Sequence, residues 1–180
     1  MIKMEVFLTN LGAYNEGVLR GNWVAPSTCD WEEELKKIGI GESRGEGMGE
    51  YEEWFITDYD DAPFDLGEYE SLDRLTKIAN YCEEYGKDLV GAMQDNTGDW
   101  DDTVERLDSG DYSLVYLDDG WGDETERLGY AYVEEGLFGI QIPPELENYI
   151  DYSAIGRTIE TDSCGDYVEI NGKTAYLELY

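Results

Sequence analysis

Histidine is absent from the 180-residue sequence, and cysteine is scarce. The lack of histidine removes the side chain that most often serves as a general base or a metal ligand near neutral pH. The three cysteines, Cys29, Cys82 and Cys164, are odd in number and widely spaced, which favours a reducing cytosol over a disulfide framework. No Walker sequence, serine-hydrolase elbow or Cys-x-x-Cys pair is present. We therefore expect a protein that is not an enzyme and needs no cofactor.

A calcium site and a membrane segment are also not expected. An EF-hand loop requires glycine at its sixth position, where a loop starting at Asp99 has Val104 and one starting at Asp58 has Pro63. No stretch approaches the roughly 20 apolar residues that span a bilayer. The first ten residues lack the apolar region of a signal peptide. These features predict a cytoplasmic protein without membrane or metal binding.

Basic residues are few. The sequence has 12 Lys and Arg against 43 Asp and Glu, a formal net charge of -31. Disorder is not expected, because 41% of the residues are hydrophobic and 13% are aromatic, which is enough to build cores. Self-repulsion at this charge destabilises a compact state, so we expect the charge to serve a purpose. The net charge of the chain equals the charge of roughly 50 Å of duplex DNA, or about 15 base pairs.

The acidic residues are spread along the chain, but the basic ones are not. Residues 1–30 are nearly neutral, with three acidic and two basic side chains. Residues 1–90 contain 21 acidic and 8 basic residues, and residues 91–180 contain 22 and 4. Negative charge is thus least offset in the second half.

Hydrophobic spacing predicts an α+β protein. A strand is expected over Met4–Leu8, a helix begins after Asp30 in a capping box with Glu33, and glycines indicate a loop from Gly39 to Gly49. The segments that we predict after this loop are a strand over Glu52–Asp58, a helix from Ser71 to Gly86, a short helix around Leu89–Met93, and a helix capped by Asp99. The middle of the chain is therefore predicted to be helical.

The last third is predicted to mix strands and helices. The elements expected there are a strand over Asp111–Leu117, a helix over Asp123–Glu135 closed by Gly136, and a short helical piece from Pro143 to Ile150. Asn171-Gly172 lies between alternating runs and predicts a type I′ β-hairpin with Val168, Ala175 and Leu177 on one face. We expect an elongated chain of three small domains: a mixed domain over residues 1–62, a helical one over 63–110, and a mixed one over 111–180 with the C-terminal β-hairpin.

One predicted helix suggests how the charge is used. Asp101, Glu105 and Asp108 share its outer face, with Asp102 beside them. Residues three or four apart on a helix lie about 5–6 Å apart, comparable to successive phosphates on a DNA strand. The carboxylates that we expect to substitute for phosphates are Asp95, Asp99, Asp101, Asp102, Glu105, Asp108, Asp111, Asp118, Asp119, Asp123, Glu124, Glu126, Glu134 and Glu135.

Four segments resemble the ArdA antirestriction proteins. They are VFLTNLGAYNEGVLRGNW from Val6 to Trp23, EYEEWFITDYD from Glu50 to Asp60, RLGYAYVEE from Arg127 to Glu135, and IPPELENYIDYSAIGR from Ile142 to Arg157. The resemblance implies a non-catalytic mimic of bent B-form DNA, made by a mobile element. Such a mimic occupies the DNA-binding groove of the specificity and methyltransferase core of type I restriction-modification enzymes, and so protects incoming DNA. It binds no nucleic acid itself.

The resemblance also implies a homodimer formed through the third domain. The segment from Glu126 to Glu135 resembles the family's antirestriction motif, which lies near the dimer interface. Its candidate residues are Arg127, Leu128, Gly129, Tyr130, Ala131, Tyr132 and Val133. Leu128, Ala131 and Tyr132 form an apolar stripe that could instead pack in its own core. The loop Gly45–Gly49 and the tail Asp162–Asn171 depart from the family pattern.

Two other classes of function remain open from composition. A strongly acidic surface can serve solubility alone, as in salt-adapted proteins. It can also bind basic proteins, as acidic chaperones do. A competition assay against a DNA-binding methyltransferase separates both classes from a DNA mimic.

Overall fold

The computed structural model describes residues 3–120, 122–139 and 141–180. These residues form two compact units, with the division between Gly91 and Ala92. The elements of the first unit are β1 (Glu5–Asn10), α1 (Leu11–Asn15), β2 (Gly21–Val24), α2 (Trp31–Lys37), β3 (Trp54–Asp60) and α3 (Leu72–Tyr85), and α4 (Lys87–Thr97) crosses the boundary. The elements of the second unit are α5 (Trp100–Ser109), β4 (Tyr112–Tyr116), α6 (Glu124–Glu134), a 3₁₀ helix (Pro144–Tyr149), α7 (Tyr152–Asp162), β5 (Gly165–Ile170) and β6 (Lys173–Leu179). The predicted α+β class is confirmed.

The first unit contains an antiparallel three-stranded sheet in the order β2–β1–β3. Val6 and Leu8 alternate along β1 and are fully buried, as the period of a half-buried strand requires. The strand predicted over Glu52–Asp58 lies two residues later, because Trp54 is the first residue that pairs with β1, opposite Asn10. The helix α1 and the strand β2 were not predicted, since each spans five residues or fewer.

The helices α3 and α5 begin after the capping residues that the sequence predicts, whereas α4 is longer at both ends than the short helix predicted around Leu89–Met93. Ser71 accepts a hydrogen bond from the Arg74 backbone N–H and caps α3, and Asp99 caps α5 in the same way. Gly86 and Gly110, which follow α3 and α5, have positive φ angles of 87° and 75°. Glycine adopts this backbone conformation without the steric cost that a side chain brings.

The second unit contains an antiparallel sheet in the order β4–β6–β5. The predicted hairpin is confirmed: Asn171 and Gly172 have φ angles of 53° and 72°, as a type I′ turn requires. Val168 pairs with Ala175, so the predicted apolar face is also confirmed. The central strand β6 is nevertheless buried on both faces, because Tyr176 on the opposite face is only 1% exposed.

The helices α6 and α7 pack on the Tyr176 face of this sheet. The core there consists of Leu117, Leu128, Ile159 and Tyr176. The two helices approach closely, since a Cβ at Gly129 would lie 2.0 Å from the Tyr152 carbonyl oxygen. The sequence pattern predicts α6 but not α7, whose apolar residues are interrupted by glycine and threonine.

The three-domain division remains a prediction. The compact units meet at Gly91 and Ala92, inside the region that was expected to form a helical domain. Across the described ranges, every helix falls short of the length and apolarity that crossing a membrane requires.

Candidate functional site

The helix α5 presents carboxylates on one face and apolar side chains on the other. Trp100, Thr103 and Leu107 are buried. Asp101 and Glu105, one turn apart, are exposed on the opposite side, and Asp108 follows them. This arrangement matches the predicted acidic face, because at 3.6 residues per turn Asp101, Glu105 and Asp108 lie on the side of the helix away from its buried residues.

Two of the predicted carboxylates also cap helices. The Asp99 carboxylate accepts hydrogen bonds from the backbone N–H groups of Asp101 and Asp102, at 3.0 and 3.1 Å. The Asp123 carboxylate accepts one from the Glu126 N–H at 2.9 Å. Both side chains are exposed, and the capping hydrogen bonds fix their position at the surface.

The remaining predicted carboxylates are spread over α4, α6 and the segments that flank β4. Asp102 and Glu126 are half-buried, and the Asp102 carboxylate lies 3.3 Å from the Arg106 guanidinium. The other twelve carboxylates are exposed: Asp95, Asp99, Asp101, Glu105, Asp108, Asp111, Asp118, Asp119, Asp123, Glu124, Glu134 and Glu135. All fourteen belong to the second unit.

Ion pairs neutralise the first unit more than the second. Within the described residues, seven pairs lie in the first unit: Lys3–Glu83, Arg20–Glu42, Lys36–Glu32, Lys37–Glu34, Arg44–Glu16, Arg74–Glu70 and Lys87–Asp61. The Arg106–Asp102 pair lies in the second unit. Since residues 91–180 contain only 4 basic side chains, the field of their 22 acidic ones is weakly offset.

The segment that resembles the antirestriction motif lies on α6 and contributes largely to its own core. Leu128, Gly129 and Ala131 are buried, and Leu128 belongs to the core cluster with Tyr132 packed against it. Arg127 and Val133 are half-buried. Tyr130 is exposed and meets Tyr152 edge to face, with ring centroids 5.2 Å apart. Leu128 and Tyr132 therefore pack within their own unit, and a dimer interface at this segment stays a prediction.

A small cavity of about 200 Å³ adjoins this segment. Its described lining residues are Asp118, Gly120, Glu126, Arg127, Tyr130 and Tyr152. The Arg127 Nε is buried and makes no hydrogen bond to the described part of the chain. The lining of the cavity therefore includes one cationic, two acidic and two aromatic side chains.

Two glutamates that were not predicted to be site residues lie inside the second unit. Glu178 is buried and accepts hydrogen bonds from the hydroxyls of Tyr132 (2.6 Å) and Ser113 (3.1 Å). Glu160 is half-buried and accepts one from Tyr167 at 2.6 Å. Glu178 and Tyr176 lie on the same face of β6, and this alternation is the sequence signal that could have indicated a buried Glu178.

Burial raises the pKa of both tyrosine hydroxyls. For Tyr132, desolvation is the larger cause and the hydrogen bond to Glu178 the second. For Tyr167, desolvation again comes first, followed by the hydrogen bond to Glu160. A raised pKa means that each hydroxyl keeps its proton, so both tyrosines donate hydrogen bonds to the glutamate carboxylates.

The geometry does not point to a metal centre. Within residues 3–120, 122–139 and 141–180, no three acidic or cysteine side chains are grouped so that they could hold a metal ion. The predicted carboxylates lie instead on helices and connecting segments of the second unit.

Fold and surface together define a small, strongly acidic α+β protein that displays carboxylates on helices and adjoining loops. The family model for the antirestriction protein ArdA matches residues 6–172. The chain therefore belongs to the ArdA family of antirestriction proteins, as its sequence segments predict. A comparison with curated proteins found no match.

Proposed function

We propose that this chain is a non-catalytic mimic of B-form DNA that occupies the DNA-binding groove of type I restriction-modification enzymes. It acts in the cytoplasm on the specificity and methyltransferase core, and so protects the DNA of an incoming mobile element. The observation that supports this proposal most directly is the exposed acidic face of α5, Asp101, Glu105 and Asp108, in the unit with the fewest basic residues.

The positions of several carboxylates favour a functional role for the charge. Asp108 lies in the last turn of α5, and Glu134 and Glu135 end α6. A helix C-terminus carries partial negative charge, so acidic residues there cost about 0.3–1 kcal/mol each. Solubility alone does not require carboxylates at these sites, because exposed loops accept them at lower cost. Binding to a basic groove compensates for this local cost.

The interaction is proposed to be collective. Exposed ion pairs each contribute about 0.2–1 kcal/mol, so a long electrostatic interface gains its affinity from many of them. The first thirty residues, with three acidic and two basic side chains, form a nearly neutral end. We therefore assign the phosphate substitutes to the second unit.

A homodimer extends the proposed mimic. Exposed apolar side chains lie on α6, in the segment that follows it and on the 3₁₀ helix, namely Tyr130, Leu137, Phe138, Leu146 and Tyr149. Exposed apolar surface in this amount favours a protein contact. The proposal is that the dimer forms here, beside the buried residues of the antirestriction motif, and not through Leu128 itself.

A displacement assay tests the proposed function. A type I methyltransferase bound to a fluorescent duplex is titrated with the protein, and DNA release is followed by anisotropy at low and physiological salt. We expect release at micromolar concentrations or below, and weaker competition as salt rises. An absence of competition at micromolar protein would leave solubility as the reason for the charge.

A parallel titration separates DNA mimicry from chaperone activity. In this titration a histone takes the place of the methyltransferase. A histone is basic but has no DNA-reading groove of this kind. A DNA mimic should bind the methyltransferase more tightly than the histone at physiological salt. Preference for the histone would favour the acidic chaperone.

A further inference from the structure

A second cavity, of about 360 Å³, lies in the first unit, away from the residues assigned to phosphate mimicry. It opens between the start of α1, the start of β3 and the turn that precedes α3. Its described lining residues are Leu11, Glu52, Glu53, Trp54, Tyr69, Glu70 and Ser71. Its volume falls within the range of about 300–1,000 Å³ that is typical of small-ligand pockets.

The aromatic walls of the cavity are held in place by the fold. Trp54 pairs with Asn10 at the end of the sheet, and the Leu11 backbone N–H donates to the Glu53 carbonyl at 3.0 Å. The turn that carries Tyr69 is fixed to β3, because the Ile56 N–H donates to the Glu68 carbonyl at 2.8 Å. The cavity is therefore preformed, which lowers the entropic cost of binding.

The Tyr69 ring is both supported and accessible. It stacks on Phe55, with centroids 6.4 Å apart and planes inclined by 26°. It is also 68% exposed, so much of the ring surface remains free for a ligand. An exposed aromatic ring of this kind attracts a cation placed over its face.

The charge of the lining selects the sign of the ligand. Glu52 and Glu53 are exposed, while Glu70 is half-buried and paired with Arg74 at 3.1 Å. The seven described lining residues include three carboxylates and no Lys or Arg. Aromatic faces and carboxylates together favour a cation with a flat, weakly hydrated head. A guanidinium fits this description better than an ammonium, because it stacks on aromatic rings and binds a carboxylate with two hydrogen bonds.

We infer that this cavity binds an arginine side chain of a protein partner, with the guanidinium against Tyr69 and the Glu52 and Glu53 carboxylates. The identity of the partner rests on the proposed function, since a DNA-binding groove is lined with arginine. The chemistry by which the cavity binds a guanidinium does not depend on that proposed function. The first unit thus contributes an anchoring pocket, and the second unit contributes the extended acidic surface.

A titration with N-acetyl-L-arginine amide tests the site without any enzyme. In ¹⁵N-labelled protein, we expect saturable shifts confined to the amides of residues 52–54 and 69–71 and to the Trp54 indole N–H. N-acetyl-L-citrulline amide, which has the same shape without the charge, should produce none. Equal shifts with citrulline, or shifts spread evenly over all acidic surfaces, would overturn the inference.

Matched variants locate the binding. Tyr69→Ala should weaken arginine amide binding about two- to fivefold, as expected for an exposed cation–π contact. Tyr14→Ala is the control, because Tyr14 also packs on Phe55 and is exposed but does not line the cavity. Glu52→Gln combined with Glu53→Gln should weaken binding, and Glu46→Gln combined with Glu84→Gln should not. Unchanged affinity in Tyr69→Ala would refute the site.

The outcome is separable from that of the proposed function. Methyltransferase displacement without arginine amide binding would refute the pocket and leave DNA mimicry standing. Arginine amide binding without displacement would support the pocket and refute the type I enzyme as partner. Where both occur, Tyr69→Ala should also raise the protein concentration needed for displacement.

Discussion

The Tyr132 hydroxyl donates a 2.6 Å hydrogen bond to the carboxylate of Glu178, which joins α6 to the central strand of the second sheet. Glu178 is only 9% exposed, although the protein places most of its acidic residues in solvent. A buried carboxylate is tolerated when hydrogen bonds replace the lost water. The pair therefore couples the segment that resembles the antirestriction motif to the core of its own unit.

Replacing Tyr132 by phenylalanine should destabilise the second unit. The change removes one hydroxyl donor from a buried carboxylate, which costs about 1–3 kcal/mol. Urea unfolding followed by circular dichroism measures the free energy of unfolding. Tyr130→Phe is the control, because Tyr130 is exposed, and it should leave stability within about 0.5 kcal/mol. Equal stability of the two variants would show that Glu178 does not depend on this bond.

Stability should fall as pH rises above about 10, the usual pKa of tyrosine. The pKa of Tyr132 and that of Tyr167 are raised in the folded state, so the unfolded chain releases these protons first. Above the unfolded pKa the folded state binds more protons, and the free energy of unfolding decreases with pH. Urea midpoints between pH 8 and 11 measure the slope. The double variant Tyr132→Phe with Tyr167→Phe should show a flatter dependence, and an identical slope would contradict this assignment.

Neutralising the acidic face of α5 should weaken inhibition. The variant combines Asp101→Asn, Glu105→Gln and Asp108→Asn on α5 with Asp95→Asn on the preceding helix α4, whereas any one of these changes should have little effect. At about 0.2–1 kcal/mol per exposed charge, the four together should weaken methyltransferase displacement by at least about fourfold. Neutralising Asp101 at the start of α5 and Asp108 at its end has opposite effects on the helix dipole, so stability should change little and misfolding would not explain the loss.

A charge-matched variant of the first unit provides the comparison. Glu5→Gln, Glu46→Gln, Glu50→Gln and Glu84→Gln remove four exposed charges where basic residues already offset the field. Displacement should weaken less than in the α5 variant. Equal weakening would show that total charge matters and its position does not. Complete loss from a single α5 change would replace the collective interface with a local hot spot.

Gly156→Ala should disrupt the packing of α6 on α7. A Cβ at Gly156 would lie 1.8 Å from the Thr125 carbonyl oxygen, so the helices must separate. Overpacking of this kind typically costs about 1–3 kcal/mol. Gly120→Ala is the control, because a Cβ there meets no described atom within 4 Å. Thermal unfolding compares the two, and an unchanged melting temperature in Gly156→Ala would contradict the close helix approach.

Local signals predicted most of the helices and the hairpin. Asp30, Ser71 and Asp99 cap helices because a short polar side chain binds the free N–H groups of the next turn, an interaction confined to a few residues. The Asn171-Gly172 turn is equally local, since it depends on two residues that adopt positive φ. Patterns of this range can be read directly from the printed sequence.

The helix α7 and the carboxylate of Glu178 illustrate what local patterns miss. The helix α7 contains Gly156, which lowers helix propensity, yet the close approach of α6 requires glycine at that position. Glu178 is acidic like its many exposed counterparts, and only its tyrosine and serine partners distinguish it. Both features depend on residues that are distant in sequence.

The sequence by itself determined the α+β class, several helix caps, the hairpin, the ArdA family and the excess of negative charge, because these follow from composition and short-range patterns. The tertiary structure decided which carboxylates face solvent, which are buried beside tyrosines, and that Leu128 packs within its own unit. It also placed Tyr69, Trp54 and the Glu52–Glu53 pair around one cavity. Such placement results from packing between elements far apart in the chain, and periodicity within a single element does not encode it.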